Sequence, residues 1–134
     1  MLETIREYAT ERLLESGEAA MTRERHLDIF VAFAERAYEG RLASGSAWSP
    51  VVDTEHDNIR AALDRARMSR PDAEAQLAGG VAYCWLLRGY APEAGERLAG
   101  ALARYESRDH IRARTLTHLG DAVGDIGLAR EALT

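Results

Sequence analysis

Residues 77–102, LAGGVAYCWLLRGYAPEAGERLAGAL, decide the fold. Leu77, Ala78, Val81, Ala82, Trp85 and Leu86 recur at the three- and four-residue spacing of one helix face. Gly89 then offers the left-handed conformation that ends a helix. Pro92 suits the first turn of the next one, where its missing amide hydrogen is not needed. Ala94, Leu98, Ala101, Leu102 and Tyr105 continue as a second stripe. A connection this short makes the two helices antiparallel neighbours. Gly79-Gly80 lies in the middle of the first helix, at a cost of ~1 kcal/mol per Gly relative to Ala at exposed sites. Close approach of another helix is the expected return. A phosphate cradle is not, because the amides free to bind an anion lie at a helix start.

The same pattern extends in both directions. Thr4 and Glu7 have capping-box spacing, Ile5, Ala9 and Leu13 form a stripe with Tyr8 beside it, and Ser16-Gly17 predicts a helix end. A second helix is expected from Thr22, with Leu27, Phe30, Val31, Ala34, Tyr38 and Leu42 as the clearest amphipathic stripe in the chain, ending in the loop Ala43-Ser44-Gly45-Ser46. Ser49-Pro50 predicts the start of a third helix, with Val52, His56, Ile59, Leu63 and Ala66 on one face. Ser69-Arg70-Pro71-Asp72 breaks it and opens the helix of residues 77–87. Beyond Tyr105, Ser107 is the expected cap of a sixth helix with Leu116, Leu119, Val123 and Ile126 inward, followed by a turn or two of a seventh. The fold class is all-α: a string of antiparallel helical hairpins.

Composition bounds the function. The chain has 134 residues, 46% hydrophobic and 29% charged, with a net charge of -5, which is the balance of a globular domain. All 17 basic residues are Arg, so no Walker-A, Schiff-base or general-base Lys exists within it. The single Cys84 excludes an internal disulfide and a multi-cysteine metal site. Apolar runs such as Ile29 to Ala34 fall far short of the ~18 residues of a membrane span, and no basic-then-apolar leader pattern is present. A cytoplasmic location without membrane contact is expected.

An internal repeat is visible. Val81 and Leu119, Ala82 and Gly120, Gly89 and Gly127, and Ala94 and Ala132 are each separated by 38 residues. Small residues thus recur where two helices touch, and a Gly recurs at the turn between them. Leu119-Gly120-Asp121-Ala122-Val123 with Gly127 and Ala132 resembles the first part of a tetratricopeptide repeat. Val81-Ala82, Trp85, Gly89, Ala94, Leu98 and Ala101 resemble it with Ala82 in place of the usual Gly. The period exceeds the ~34 residues of that repeat, and the extra residues fall in Arg104 to His110. The resemblance implies a right-handed α-α superhelix over residues 71–134, with the second repeat truncated. It also implies a partner-facing surface of Gln76, Tyr83 and Leu87 in one unit and Arg114, Thr117 and Asp121 in the next. An apolar face on the sixth helix is expected to lack its partner.

Three further segments carry a wider resemblance. Met1-Leu2-Glu3-Thr4-Ile5-Arg6-Glu7-Tyr8-Ala9 with Glu11-Arg12-Leu13, then Glu55-His56-Asp57-Asn58-Ile59-Arg60-Ala61-Ala62-Leu63, then Trp85-Leu86-Leu87-Arg88-Gly89-Tyr90, occur in this order. Together they resemble STAND-class (NB-ARC-like) ATPases coupled to tetratricopeptide repeats, as found in transcriptional regulators of the LuxR and SARP kinds. The resemblance implies that residues 1–70 are a helical linker region that follows a winged helix lying before Met1. It implies a non-catalytic interaction module that relays sensing of a ligand or partner protein, with the ATPase and the DNA reader outside this chain. The pattern Gly-x-x-x-x-Gly-Lys-Ser/Thr does not occur here. A free-standing repeat adaptor or a homodimerisation domain is the alternative; a small helical enzyme is the third reading.

The polar clusters are weighed on the same footing. Glu55-His56-Asp57-Asn58 offers a metal pair or a general base, but His56 lies on the apolar stripe and Asn58 is disfavoured in a helix interior. Both are expected as structural residues that hydrogen-bond a neighbouring helix end or loop. His110 and His118, eight residues apart, are too distant for one zinc ion, and His26 has no second ligand. Cys84 reads as a small core residue, unless Arg88 one turn on lowers its pKa. Ser44, Ser46 and Ser49 lack the strained turn of a nucleophile. Arg104, Arg108, Arg112 and Arg114 form a basic cluster that reads as a solvated face paired with Glu106 and Asp109, because the acidic balance argues against nucleic acid. No cofactor, metal or direct nucleic-acid contact is expected; the expected partner is a protein or peptide, or a second copy of the chain.

Overall fold

A computed structural model describes residues 2–43 and 47–133, and their side chains over 4–41 and 47–124. The elements are α1 (Leu2–Ala43), α2 (Trp48–Thr54), α3 (His56–Ser69), α4 (Pro71–Leu87), α5 (Ala91–Arg104) and α6 (His110–Leu133), with no strand among the described residues. The all-α expectation holds. Residues 43–46, expected as a loop, largely fall outside the described stretch, as do the side chains of Leu42 and Ile126.

α4 is the hub. Most of its length from Ala73 to Trp85 is buried, and α1, α2, α3, α5 and α6 all pack on it. Trp85, Leu77 and Val81 of α4 meet Leu27 of α1, Val52 of α2, Ile59 and Leu63 of α3, and Leu98 of α5 in one continuous core. The central glycines do what their position predicts. A Cβ on Gly80 would lie 2.7 Å from Ala34 Cβ and from the Ala34 carbonyl oxygen, so α1 crosses α4 at this point. A Cβ on Gly79 would lie 3.0 Å from Arg114 Nε, so α6 approaches on the adjacent side. The α4–α5 hairpin forms as expected: Gly89 takes φ +82, and Pro92 sits in the first turn of α5.

Five boundaries differ from expectation. α1 is one helix across Gly17, where two were expected. A lone Gly costs ~1 kcal/mol in a helix and stops it only when the backbone turns left-handed; Gly17 keeps a negative φ. Thr22, the expected start, donates back to the Glu18 carbonyl at 2.9 Å, and Thr4 lies inside the helix that begins at Leu2. The third helix is divided at Glu55 (φ -94, ψ 11) into α2 and α3. It opens at Trp48 and not at Ser49, whose hydroxyl is buried and accepts a hydrogen bond from Arg88 Nε at 2.9 Å. α6 is capped by Asp109 and not by Ser107: one Asp109 carboxylate oxygen accepts from the Ile111 and Arg112 amides at 3.0 and 3.2 Å. The α5–α6 loop spans residues 105–109. α6 then continues through Gly127, so the expected second turn and seventh helix do not occur.

The buried side of α6 is also rotated. Ile111, Thr115, His118 and Ala122 point inward. Leu116 and Val123, expected inside, are 49% and 59% exposed, and Leu119 is half-buried against the core. The stripe expected on the third helix is buried, Val52 on α2 and His56, Ile59, Leu63 and Ala66 on α3.

Candidate functional site

The surface expected to face a partner lies where α1 crosses α4 and α6. Gln76, Gly80, Tyr83 and Leu87 follow one another on a single side of α4 by helical spacing. Ala34 sits on Gly80, so the C-terminal half of α1 already lies on that side. Gln76 and Tyr83 are half-buried and Leu87 is exposed. Arg114 is not free: its guanidinium makes a paired contact with the Glu35 carboxylate of α1, both bonds at 2.8 Å, and donates to the Gln76 carbonyl at 3.1 Å. A two-bond arginine–carboxylate fork is directional and charge-assisted. The structure therefore joins Gln76 to Arg114 but leaves Thr117 and Asp121 on open surface. The Thr117 hydroxyl donates to the Ala113 carbonyl at 3.0 Å, and Asp121 stands 3.8 Å from His118 Nδ1.

Sequence reasoning missed the core of this seam. The Tyr38 ring of α1 carries the Arg41 guanidinium at 3.6 Å and the Arg114 guanidinium at 4.5 Å from its centroid. His118 of α6 meets the same ring edge-on, 5.9 Å between centroids. The imidazole is buried, Nδ1 has no hydrogen-bond partner, and burial holds its pKa below the ordinary value of 6.5. Nearby Asp121 opposes that shift, whereas Arg114 and Arg41 add to it. The signal was the spacing of Ile111, Thr115, His118 and Ala122, masked by the more apolar series that begins at Leu116.

A second cluster surrounds His56. Its ring stacks on Tyr90 at 4.5 Å and meets Trp85 edge-on at 5.0 Å. The expected hydrogen bond to a helix end or loop is not made: neither ring nitrogen has a partner, and Nε2 lies 3.6 Å from Glu93 Oε2. Glu93 is committed to Arg60, with bonds of 2.6 and 2.7 Å, and this pairing holds the Glu93 carboxyl below the usual carboxylate range. The Tyr90 hydroxyl donates to Asp53 at 2.8 Å, which pushes the phenol pKa up. Asn58 is exposed and donates to Glu55 at 2.8 Å; it is not the buried amide that was expected.

The basic cluster disperses. Arg104 pairs with buried Glu74 of α4, Arg112 donates to the Tyr105 carbonyl and Arg114 pairs with Glu35, so Glu106 and Asp109 are not their partners. The chain folds back at the α5–α6 loop, which brings carboxylates distant in sequence nearer than the adjacent ones. Cys84 is buried in the core, and burial pushes its thiol pKa up; Arg88 turns to Ser49 instead. Among the described residues no three His, Cys, Asp or Glu side chains are grouped to hold a metal ion, and no helix is long and apolar enough to cross a membrane. A cleft of about 610 Å³ separates α3 from α5, spanned by the Arg60–Glu93 and Arg97–Asp64 ion pairs. No protein-family model, curated protein or solved structure matches the chain.

Proposed function

We propose that the chain is a non-catalytic helical interaction module of the tetratricopeptide kind, a segment of an ATP-dependent transcriptional regulator that relays the binding of a protein or peptide. The observation that carries this reading is the distribution of unpartnered apolar surface. Ile5, Tyr8 and Leu13 on the N-terminal half of α1 and Leu116 and Val123 on α6 are exposed on a body whose polar groups are largely tied to one another. Solvent-exposed apolar stripes on both terminal helices suit a unit that packs against further protein. The ordered resemblance of residues 1–13, 55–63 and 85–90 to STAND-class regulators supports the assignment to that kind of assembly.

Nucleotide chemistry belongs elsewhere in this reading, since no Lys is present to contact phosphates. Titration of the chain with ATP and Mg²⁺ in a calorimeter should give no saturable heat; saturable binding would overturn the proposal. A reading frame that runs upstream of this coding region through a P-loop separates the regulator segment from a free-standing adaptor. Exposed Leu116 and Val123 favour self-association as the second reading.

A further inference from the structure

The α1–α6 seam encloses a histidine in surroundings built for its neutral form. His118 is 6% exposed, and its Nδ1 finds no hydrogen-bond partner among the described residues. From α1 it faces the Tyr38 ring, and that ring already carries the Arg41 guanidinium; Glu35 lies beyond, with both carboxylate oxygens taken by Arg114. From α6 itself come Arg114, one turn before, and Asp121, three residues on, whose side chain is mostly in solvent. The α4 stretch of residues 75–82 that passes beneath carries no charge. The α5 charges turn away from the seam, Glu93 and Arg97 to α3 and Arg104 to α4. Two guanidiniums therefore converge on one aromatic ring beside the imidazole. The one carboxylate that reaches the imidazole is screened by water, which weakens it as a counter-charge.

We propose that this seam is a pH-operated latch, closed between α1 and α6 while His118 is neutral and released when His118 takes a proton. Protonation puts a third cation against the Tyr38 ring with no buried acceptor for its Nδ1 hydrogen. The new charge is relieved by turning the imidazole out to water, which parts the Tyr38–His118 contact and strains the Glu35–Arg114 fork beside it. The sign follows from proton linkage. The unfolded or opened chain binds the proton near pH 6.5, the closed seam only below that. Closure is complete above about pH 7 and weakens as pH falls through the ordinary histidine range. Glu93 and Asp109, held below the usual carboxylate range by Arg60 and Tyr105, act at lower pH and leave this window separate.

The test is a histidine-resolved proton NMR titration of the whole chain from pH 8 to 5, with amide exchange followed over residues 34–41 and 111–123. The His118 ring signal should titrate below the ordinary histidine value of 6.5. Amide protection on both helices of the seam should fall with the His118 midpoint. Asp121→Asn removes the favourable charge and should move that midpoint to lower pH; Arg41→Gln removes an unfavourable one and should move it to higher pH. His118→Gln should stay helical at pH 7 and lose the pH-dependent change in protection. If His118→Gln does not fold, the two charge variants decide alone. A His118 signal that titrates at or above the ordinary histidine value of 6.5, or protonation without loss of seam protection, would overturn the latch.

Discussion

Glu74 carries a carboxylate whose side chain is only 2% exposed, and Arg104 reaches across from α5 to meet it with bonds of 2.8 and 2.5 Å. The desolvation cost of such a pair nearly cancels its attraction, so the pair as a whole adds little to stability. Removing one member is different, because the remaining charge is left buried and alone. Arg104→Ala should therefore lower the unfolding free energy by about 3 kcal/mol, measured by urea titration at pH 7. The double variant Glu74→Leu with Arg104→Met should lose markedly less. A double variant no better than Arg104→Ala would show that Arg104 acts through its alkyl packing and not its charge. Residue-scale features were unevenly legible in the sequence. The purpose of Gly79-Gly80 could be read, because a costly pair of glycines in a helix has few uses, and Ala34 and Arg114 do fill the space. The partners of Glu74, Arg104 and Arg114 could not. Each bond joins residues 30 or more positions apart, and only packing of the helices sets which charges meet.

At the scale of elements, helix faces were read more reliably than helix ends. The stripes on α3, α4 and α5 are buried as expected because large apolar side chains there leave one choice of inward face. On α6 two stripes compete, and the more apolar one lost. Small and polar Thr115, His118 and Ala122 let α6 sit close to α4, where bulky Leu116 and Val123 would hold it away. The unexpected continuity of α1 has its own consequence. Residues 4–26 are exposed throughout, about 35 Å of helix held to the rest of the fold near its end, by Arg65 on the Arg23 carbonyl and Arg70 on Glu24. Short helices in water are marginal without packing, so this half of α1 should exchange its amide hydrogens well before residues 27–41. Gly17 has open space around the position of a Cβ. Gly17→Ala should thus stabilise the exposed half by about 1 kcal/mol and slow exchange at residues 10–22, with the core melting temperature unchanged. Equal protection along the whole of α1 in the unaltered chain would mean that a partner covers the exposed half, and would redirect attention to self-association.

The whole molecule is one core organised on α4, with uncovered apolar surface toward both terminal helices. The hairpin architecture was legible because Gly89 and Pro92 punctuate it; the placement of α1 over Gln76 and Arg114 was not, since nothing local in those residues records which helix will lie on them. The open surfaces have different standing. On α1 the apolar side chains are strung along a helix that already protrudes, whereas Leu116 and Val123 lie on a helix whose other side is anchored by Ile111, Thr115, His118 and Ala122. An anchored apolar edge needs no further ordering before it binds, so its association costs less conformational entropy than that of the protruding half. Association should therefore run through α6. The weight-average mass in sedimentation should rise with concentration, and Leu116→Glu with Val123→Glu should return it to the monomer value while leaving the melting temperature within a few degrees. Loss of helicity in that double variant would mean that the α6 edge supports the fold itself. Unchanged association would place the contact on Ile5, Tyr8 and Leu13 instead, and Leu13→Glu would then be the variant that dissociates it.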